Sequence, residues 1–95
     1  MKKTKNFFNV PDWVLIDAVR YAVGRRSYQV SVTAEWVISN WKNFSLHVQG
    51  VMRHDLQEAI AMDYRMRAMD GNHRWLGDDI DRQAWLSVFE VMNGQ

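Results

Sequence analysis

The sequence of 95 residues is long enough for one domain and too short for two. Hydrophobic residues make up 47% of it and charged residues 24%, which fits a globular protein and excludes a disordered one. The chain contains no Cys, which excludes disulfides and thiolate chemistry. Its net charge of +1 argues against a DNA-binding domain with a strongly basic surface.

The N-terminal segment carries no targeting signal. Its lysines are followed by only Phe7 and Phe8 before Asn9 and Pro11. A signal peptide needs about 7–15 apolar residues in that place, and a membrane-spanning helix needs roughly 18. We therefore expect a flexible arm over residues 1–9, a single helical domain over residues 10–95, and a cytoplasmic protein that does not enter membranes.

The first predicted helix covers residues 11–23. Asn9 stands where an N-cap is expected, and Gly24 follows where a left-handed C-cap is expected. Apolar residues recur between them at helical spacing, namely Val14, Leu15, Ala18, Val19 and Ala22.

Residues 28–32 alternate apolar and polar side chains, which is typical of a strand. A single strand would have no partner to pair with, so we predict a short extended connector there. A second helix then begins at Ser31 or Thr33 and ends near Trp41.

Two more helices complete the predicted fold. Ser45 is the expected cap of the longest one, in which Gly50 costs about 1 kcal/mol relative to Ala and would let another element approach closely. A stop at residues 70–72 and a loop over 73–80 precede a last helix that Asp81 would cap and Gly94 would end. The predicted fold is all-α, a compact bundle of about four helices.

Arginines and a tyrosine around the end of the first helix are candidates for nucleic-acid binding. Basic residues flanked by aromatic ones can hold phosphate and stack on bases, and the residues concerned are Arg20, Arg25, Arg26 and Tyr28. Arginines at a helix end also favour the negative pole of that helix. Ion pairs from Arg25 or Arg26 to Asp78 or Asp79 would use the same charges within the fold.

No cofactor, metal site or catalytic centre is expected. The carboxylates of Asp78, Asp79 and Asp81 could bind a hard cation, but their spacing does not match an EF-hand. His47 and His54 are seven residues apart, which on a helix separates them by about 10 Å, too far for one zinc ion. The sequence contains no phosphate-binding loop and no nucleophile elbow.

Five tryptophans are the unusual feature of the composition, because Trp is enriched at binding hot spots. Trp36 and Trp85 fall on apolar stripes and are predicted to be core. The other three, Trp13, Trp41 and Trp75, are candidates, together with Phe7 and Phe8, for an exposed partner-binding patch, although packing under the loop would explain Trp75 equally well. Residues 51–95 hold five Lys or Arg and eight Asp or Glu, a balance of −3, against +4 for residues 1–50. The two halves could pair with each other, or the acidic half could face a basic partner, in which case Asp78, Asp79 and Asp81 would add an acidic part to that patch.

The sequence resembles a family of small proteins carried by bacteriophages and other mobile elements. Members have a helix that ends in the motif RYALGR, and residues 20–25 here read Arg-Tyr-Ala-Val-Gly-Arg. Their terminal segment contains Gly-Asp-Asp, then Asp and Trp, which corresponds to Gly77-Asp78-Asp79 with Asp81 and Trp85. The resemblance spans roughly residues 10–90, and the stretch over residues 64–74 is longer than the family pattern, which suggests a special surface there.

The resemblance implies a setting in a bacterial host and a partner, since such phage proteins often bind a host protein or ribonucleoprotein. The leading expectation is a monomeric or homodimeric inhibitor of a bacterial defence system, similar to an anti-CRISPR protein. One alternative is a small nucleic-acid-binding regulator that uses Arg20, Arg25 and Arg26. Another is a homodimeric assembly factor joined through Trp13 or Trp41.

Overall fold

The computed structural model describes residues 8–23 and 28–94, with the side chain of Tyr28 left aside. This part of the chain contains four α-helices and no strand, which confirms the predicted all-α bundle of about four helices. The helices are α1 (Asp12–Ala22), α2 (Tyr28–Asn40), α3 (Leu46–Met69) and α4 (Asp79–Gly94), with a single 3-10 turn at Trp41–Asn43 between α2 and α3.

The extended connector predicted near residues 28–32 is wrong, because α2 begins at Tyr28 and includes all of them. An alternating pattern over five residues covers less than two helical turns, so it does not distinguish strand from helix. Val30 lies fully buried together with Ala34 and Val37, which follow at helical spacing, whereas Val32 is 46% exposed. Burial of one face of the helix therefore decides the conformation.

The first helix starts later than its sequence signals indicate. Pro11, and not Asn9, is its N-cap residue, and Asn9 adopts a positive φ of 58°. Asp12 stands in the first turn, where its negative charge interacts favourably with the helix dipole. The predicted C-cap, Gly24, lies outside the described residues, and the backbone N–H of Val23 donates to the carbonyl of Val19.

The contacts between helices give their directions. Phe8, just before α1, packs on Phe44, just before α3, while Arg20 near the end of α1 pairs with Asp55 of α3, so α1 and α3 run in parallel. Arg53 donates to the carbonyl of Met92, and ten residues later Asp63 meets Arg82, so α3 and α4 are antiparallel. The described part is elongated, measuring 51 × 22 × 22 Å.

Aromatic side chains fill the end of the bundle where α1 and α3 begin. Phe8 lies 5.8 Å from Trp36 and 5.3 Å from Phe44, measured between ring centroids. Trp41 packs edge-on against Phe44 and is only 2% exposed, while Arg53 lies over its indole ring. The prediction that Trp41 forms an exposed patch is therefore wrong, because its ring closes the core.

Two helix-start predictions have opposite outcomes. Ser45 caps α3 as predicted, since its hydroxyl accepts a hydrogen bond from the backbone N–H of Val48. The cap of α4 is Asp78 and not Asp81, because the Asp78 carboxylate accepts from the backbone N–H of Asp81 at 3.0 Å. None of the described helices is long and apolar enough to cross a membrane.

Candidate functional site

A buried carboxylate organises the end of the bundle where α3 meets α4. The Asp63 side chain has almost no solvent exposure and receives three hydrogen bonds. Arg67 and Arg82 donate through their Nε atoms to Oδ2, at 3.0 and 2.7 Å, and the backbone N–H of Leu76 donates to Oδ1 at 3.2 Å. One side chain thus ties together α3, the loop over residues 70–78 and the first turn of α4.

The ionised form of Asp63 is the favoured one. Burial by itself would raise the pKa of this carboxyl, but the hydrogen bonds from Arg82, from the Leu76 backbone and from Arg67 outweigh it, so the pKa is lowered. Asp63 in turn raises the pKa of the Arg82 guanidinium. Asp63 and Arg82 therefore both remain charged across the physiological range.

The lowered pKa of Asp63 gives a stability prediction. Because the unfolded chain binds this proton more tightly than the folded chain, the contribution of Asp63 is complete above the ordinary Asp pKa of about 3.9 and is lost as pH falls below it. Melting temperatures of the wild type and of Asp63→Asn, recorded from pH 7 to pH 3, should differ by a constant amount above about pH 5, and the difference should begin to narrow below about pH 4 and vanish only below the lowered pKa of folded Asp63. A difference that already shrinks near pH 6 would contradict this assignment.

A glycine lets the loop turn into α4. Gly77 is buried and has a φ of 97°, and a Cβ at this position would lie only 2.5 Å from Oδ2 of Asp81. Asp81 is itself buried, so it does not present its carboxylate to a partner, and its predicted place in an exposed acidic patch is wrong. Its side chain occupies the space that the missing Gly77 side chain leaves.

The loop over residues 70–78 presents an aromatic pair at the surface. Trp75 is 42% exposed and stacks on His73, with ring centroids 6.1 Å apart and an angle of 21° between the planes. The next residue, Leu76, is fully buried and holds the loop through its N–H bond to Asp63. Arg74 donates to the carbonyls of Gly71 and His73 and so fixes the loop from its outer side.

Exposed apolar residues on the two helices border this loop. The Arg82 guanidinium lies 4.9 Å above the ring centroid of Tyr64, which places that exposed ring beside α4. We call the resulting region the tip surface and define it by six of its exposed side chains, which are Tyr64, Met69, Trp75, Asp78, Asp79 and Ile80. It combines large apolar groups with carboxylates on a backbone that buried contacts hold in place.

The structure brings together half of the predicted partner-binding residues. Trp75, Asp78 and Asp79 all belong to the tip surface, whereas Trp41 and Asp81 are core residues. Trp13 is 64% exposed, but it lies near the start of α1, at the opposite end of the bundle. It is a separate candidate surface.

The residues predicted to bind nucleic acid do not form a cationic patch within the part of the chain that the structure describes. Arg20 pairs with Asp55, with 2.6 Å between Nε and Oδ2, and this contact raises the pKa of the guanidinium. Arg25 and Arg26 lie outside the described residues, so their predicted ion pairs with Asp78 or Asp79 stay predictions. The backbone of Tyr28 begins α2. Of the three arginines predicted to bind nucleic acid, the structure describes only Arg20, and Asp55 balances its charge.

Metal ligands do not cluster in the described part of the chain. No group of three or more His, Asp or Glu side chains there is placed to hold a metal ion. His47 and His54 are both exposed on α3.

Sequence reasoning missed Asp63, the residue on which the tip surface depends. A signal was present, since Asp63 follows Leu56 and Ile60 at helical spacing and so stands on the apolar stripe of α3. A carboxylate in such a position needs buried cationic partners. Arg67 is one turn later on the same helix, but nothing in the sequence indicates Arg82 as the second.

Comparisons of the chain with models of protein families, with curated proteins and with solved structures found no match. Function is therefore inferred from the residues of the chain itself and from the motif resemblance.

Proposed function

We propose that this protein acts by binding another protein through the tip surface, and that the partner is a host complex of the bacterial defence type, which it inhibits. The observation that carries the proposal is the exposure of Trp75 on a loop that the buried Asp63 carboxylate fixes. A large aromatic side chain held in one place loses little conformational entropy when a partner covers it. The class of target rests on the resemblance to small phage proteins.

The composition of the tip surface supports a protein partner. Met69 and Ile80 are largely exposed and offer apolar area beside Trp75, and aromatic residues and Met are enriched in protein interfaces. Asp78 and Asp79 stand next to them with exposed side chains. Carboxylates at an interface favour a basic partner surface, and a nuclease complex has such a surface where it holds nucleic acid.

Inhibition would follow from competition for that basic surface. A protein that places two carboxylates and an aromatic anchor on a nucleic-acid-binding channel excludes the phosphate backbone from it. This mechanism needs no catalysis by the bound protein. It predicts a stoichiometric complex whose formation prevents the host complex from binding its nucleic acid.

The test uses purified, nucleic-acid-guided nuclease complexes and the full chain. Binding is measured by calorimetry, and target cleavage is measured with increasing amounts of the protein. We expect a complex of fixed stoichiometry and loss of cleavage at that ratio. If no complex forms with any member of a broad panel, the defence-inhibitor function is wrong.

Trp75→Ala is expected to weaken the complex by about 2 kcal/mol, or roughly 30-fold in Kd, as for an interface hot spot. Val32→Ala is the matched control, because Val32 has a similar exposed fraction on α2. Trp13→Ala tests the other exposed tryptophan. Full affinity in Trp75→Ala together with loss in Trp13→Ala would move the contact surface to α1.

A pulldown from host lysate with and without nuclease separates this function from nucleic-acid binding. A protein partner that survives nuclease treatment supports the proposal. Recovery of nucleic acid alone would favour the regulator that uses Arg20, Arg25 and Arg26, and its binding should then weaken steeply with salt.

A further inference from the structure

The surface of α3 changes in character along the helix. In its first half, a Cβ at exposed Gly50 would meet no atom within 4 Å, so the prediction that this glycine lets another element of the chain approach closely is wrong for the described residues. The second half carries side chains with a reactivity of their own. Its last two turns contain three methionines, which are Met62, Met66 and Met69.

The methionines of the protein differ widely in exposure. The structure describes five of the six, and two of these, Met52 and Met92, are core residues that are 0% and 1% exposed. Met62 and Met66 are half-buried on α3. Met69 is 76% exposed, so it presents its thioether to solvent far more than the other four do.

An exposed thioether is a substrate for two-electron oxidation by a hydroperoxide. The sulfur lone pair attacks one oxygen of the peroxide, and the O–O bond breaks as the S–O bond forms. The proton of the attacked oxygen passes to the leaving oxygen, which departs as water or as an alcohol. The sulfur is thereby oxidised to a sulfoxide and the peroxide is reduced, so an apolar side chain becomes a polar one without any further reactant.

An arginine on the same face of α3 would stabilise the oxidised side chain. Arg65 stands three residues after Met62 and four residues before Met69, so it lies about one turn from each. Its Nη2 atom donates to the Met62 sulfur at 3.9 Å, and a thioether is a weak acceptor. A sulfoxide oxygen on Met69 would offer a stronger acceptor to this guanidinium group.

Met69 lies where its polarity matters, because it belongs to the tip surface and is, with Ile80, one of the two most exposed apolar side chains there. We propose that Met69 is a modification site, at which hydroperoxides form the sulfoxide and thereby make the tip surface more polar. Weaker partner binding follows, a consequence that rests on the proposed function. The change is reversible, since methionine sulfoxide reductases restore the thioether.

The site is tested on the free chain by treating the folded protein with hydrogen peroxide and following each methionine by peptide mass spectrometry. We expect Met69 to oxidise at least about tenfold faster than Met52 and Met92, which react only when the fold opens. Met69 should also react before the half-buried Met62 and Met66, whereas all five should react at similar rates in denaturant. If Met69 oxidises no faster in the folded chain than the other four, the proposal is overturned.

Two substitutions test whether the sulfoxide changes the surface. Met69→Leu keeps an apolar side chain without sulfur, and Met69→Gln imitates the polar sulfoxide at a similar length. At a peroxide dose that oxidises one methionine per chain, the wild type should be retained less on a phenyl matrix, and Met69→Leu should be retained as before. Met69→Gln should elute early without peroxide. Equal shifts of the wild type and Met69→Leu would place the modification elsewhere and contradict the proposal.

The effect on binding is measured with the nuclease complex that the panel identifies. Peroxide should weaken the complex of the wild type about tenfold in Kd, and a sulfoxide reductase should restore it. Met69→Leu should bind like the untreated wild type with or without peroxide. Unchanged affinity of the oxidised wild type would overturn the regulatory role of Met69. If no complex of the panel binds, the proposed function is wrong, and the measurements on the free chain still decide the modification site.

Discussion

Asp63→Asn should lower the free energy of unfolding by about 4 kcal/mol, which for a domain of this size corresponds to roughly 20 °C in melting temperature. Asn has nearly the shape of Asp, so the substitution opens no cavity. It removes the negative charge from between Arg67 and Arg82, whose side chains are only 21% and 19% exposed. Two partly buried guanidinium groups then lack a counter-ion, and that desolvation accounts for most of the loss.

The loss should be concentrated at the tip surface. The amide of Leu76 donates to Asp63, so its hydrogen exchange should become much faster in Asp63→Asn, whereas amides in the middle of α2 should change only with global stability. Asp55→Asn is the control, because it removes the carboxylate of an exposed ion pair with Arg20. If Asp63→Asn and Asp55→Asn melt equally close to the wild type, the predicted loss of stability is wrong. Water would then take the place of the carboxylate beside the two arginines.

Gly77→Ala should destabilise the fold by about 3 kcal/mol, or roughly 15 °C in melting temperature. A φ of 97° is unfavourable for any residue with a Cβ. The added carbon would also lie 2.8 Å from the Cβ of Asp81, which cannot move without shifting the first turn of α4. Backbone strain and a contact with a rigid part of the neighbour therefore act together.

Gly71→Ala is the matched control in the same loop. A Cβ at Gly71 would meet nothing within 4 Å, and its φ is not positive, so the same substitution should leave the melting temperature nearly unchanged. Thermal unfolding of both variants by circular dichroism tests the comparison. Equal effects at the two glycines would show that the turn at Gly77 can rearrange.

Local signals in the sequence predicted the fold class and several element limits. The apolar periodicity of α1 and α3 and the side-chain cap at Ser45 depend on residues within one or two turns, so they are readable without the tertiary structure. The start of α2 was not readable in this way. Burial of Val30 against other helices decides it, and that burial is a tertiary contact.

The candidate site shows the same difference between what local sequence signals predict and what tertiary contacts decide. The sequence predicts Trp75 as a surface residue because it falls in the loop before the last helix, and Asp78 and Asp79 because the C-terminal half has an excess of carboxylates. Trp41 and Asp81 were misplaced because each lies at the edge of a predicted element, where the sequence does not indicate which side faces the core. For Trp41 the deciding contact is the ring of Phe44, and for Asp81 it is the bare backbone of Gly77.

The sequence by itself determined an all-α chain with an aromatic-rich composition and an acidic C-terminal half, because helical periodicity and charge are local properties of the chain. Only the tertiary structure decided that Asp63 holds the tip surface together. Its partners Leu76 and Arg82 are thirteen and nineteen residues away, and hydrogen bonds over such separations form only when the helices pack. Exposure was decided in the same way, since tertiary packing buries Trp85 completely in the core and leaves Trp75 42% exposed.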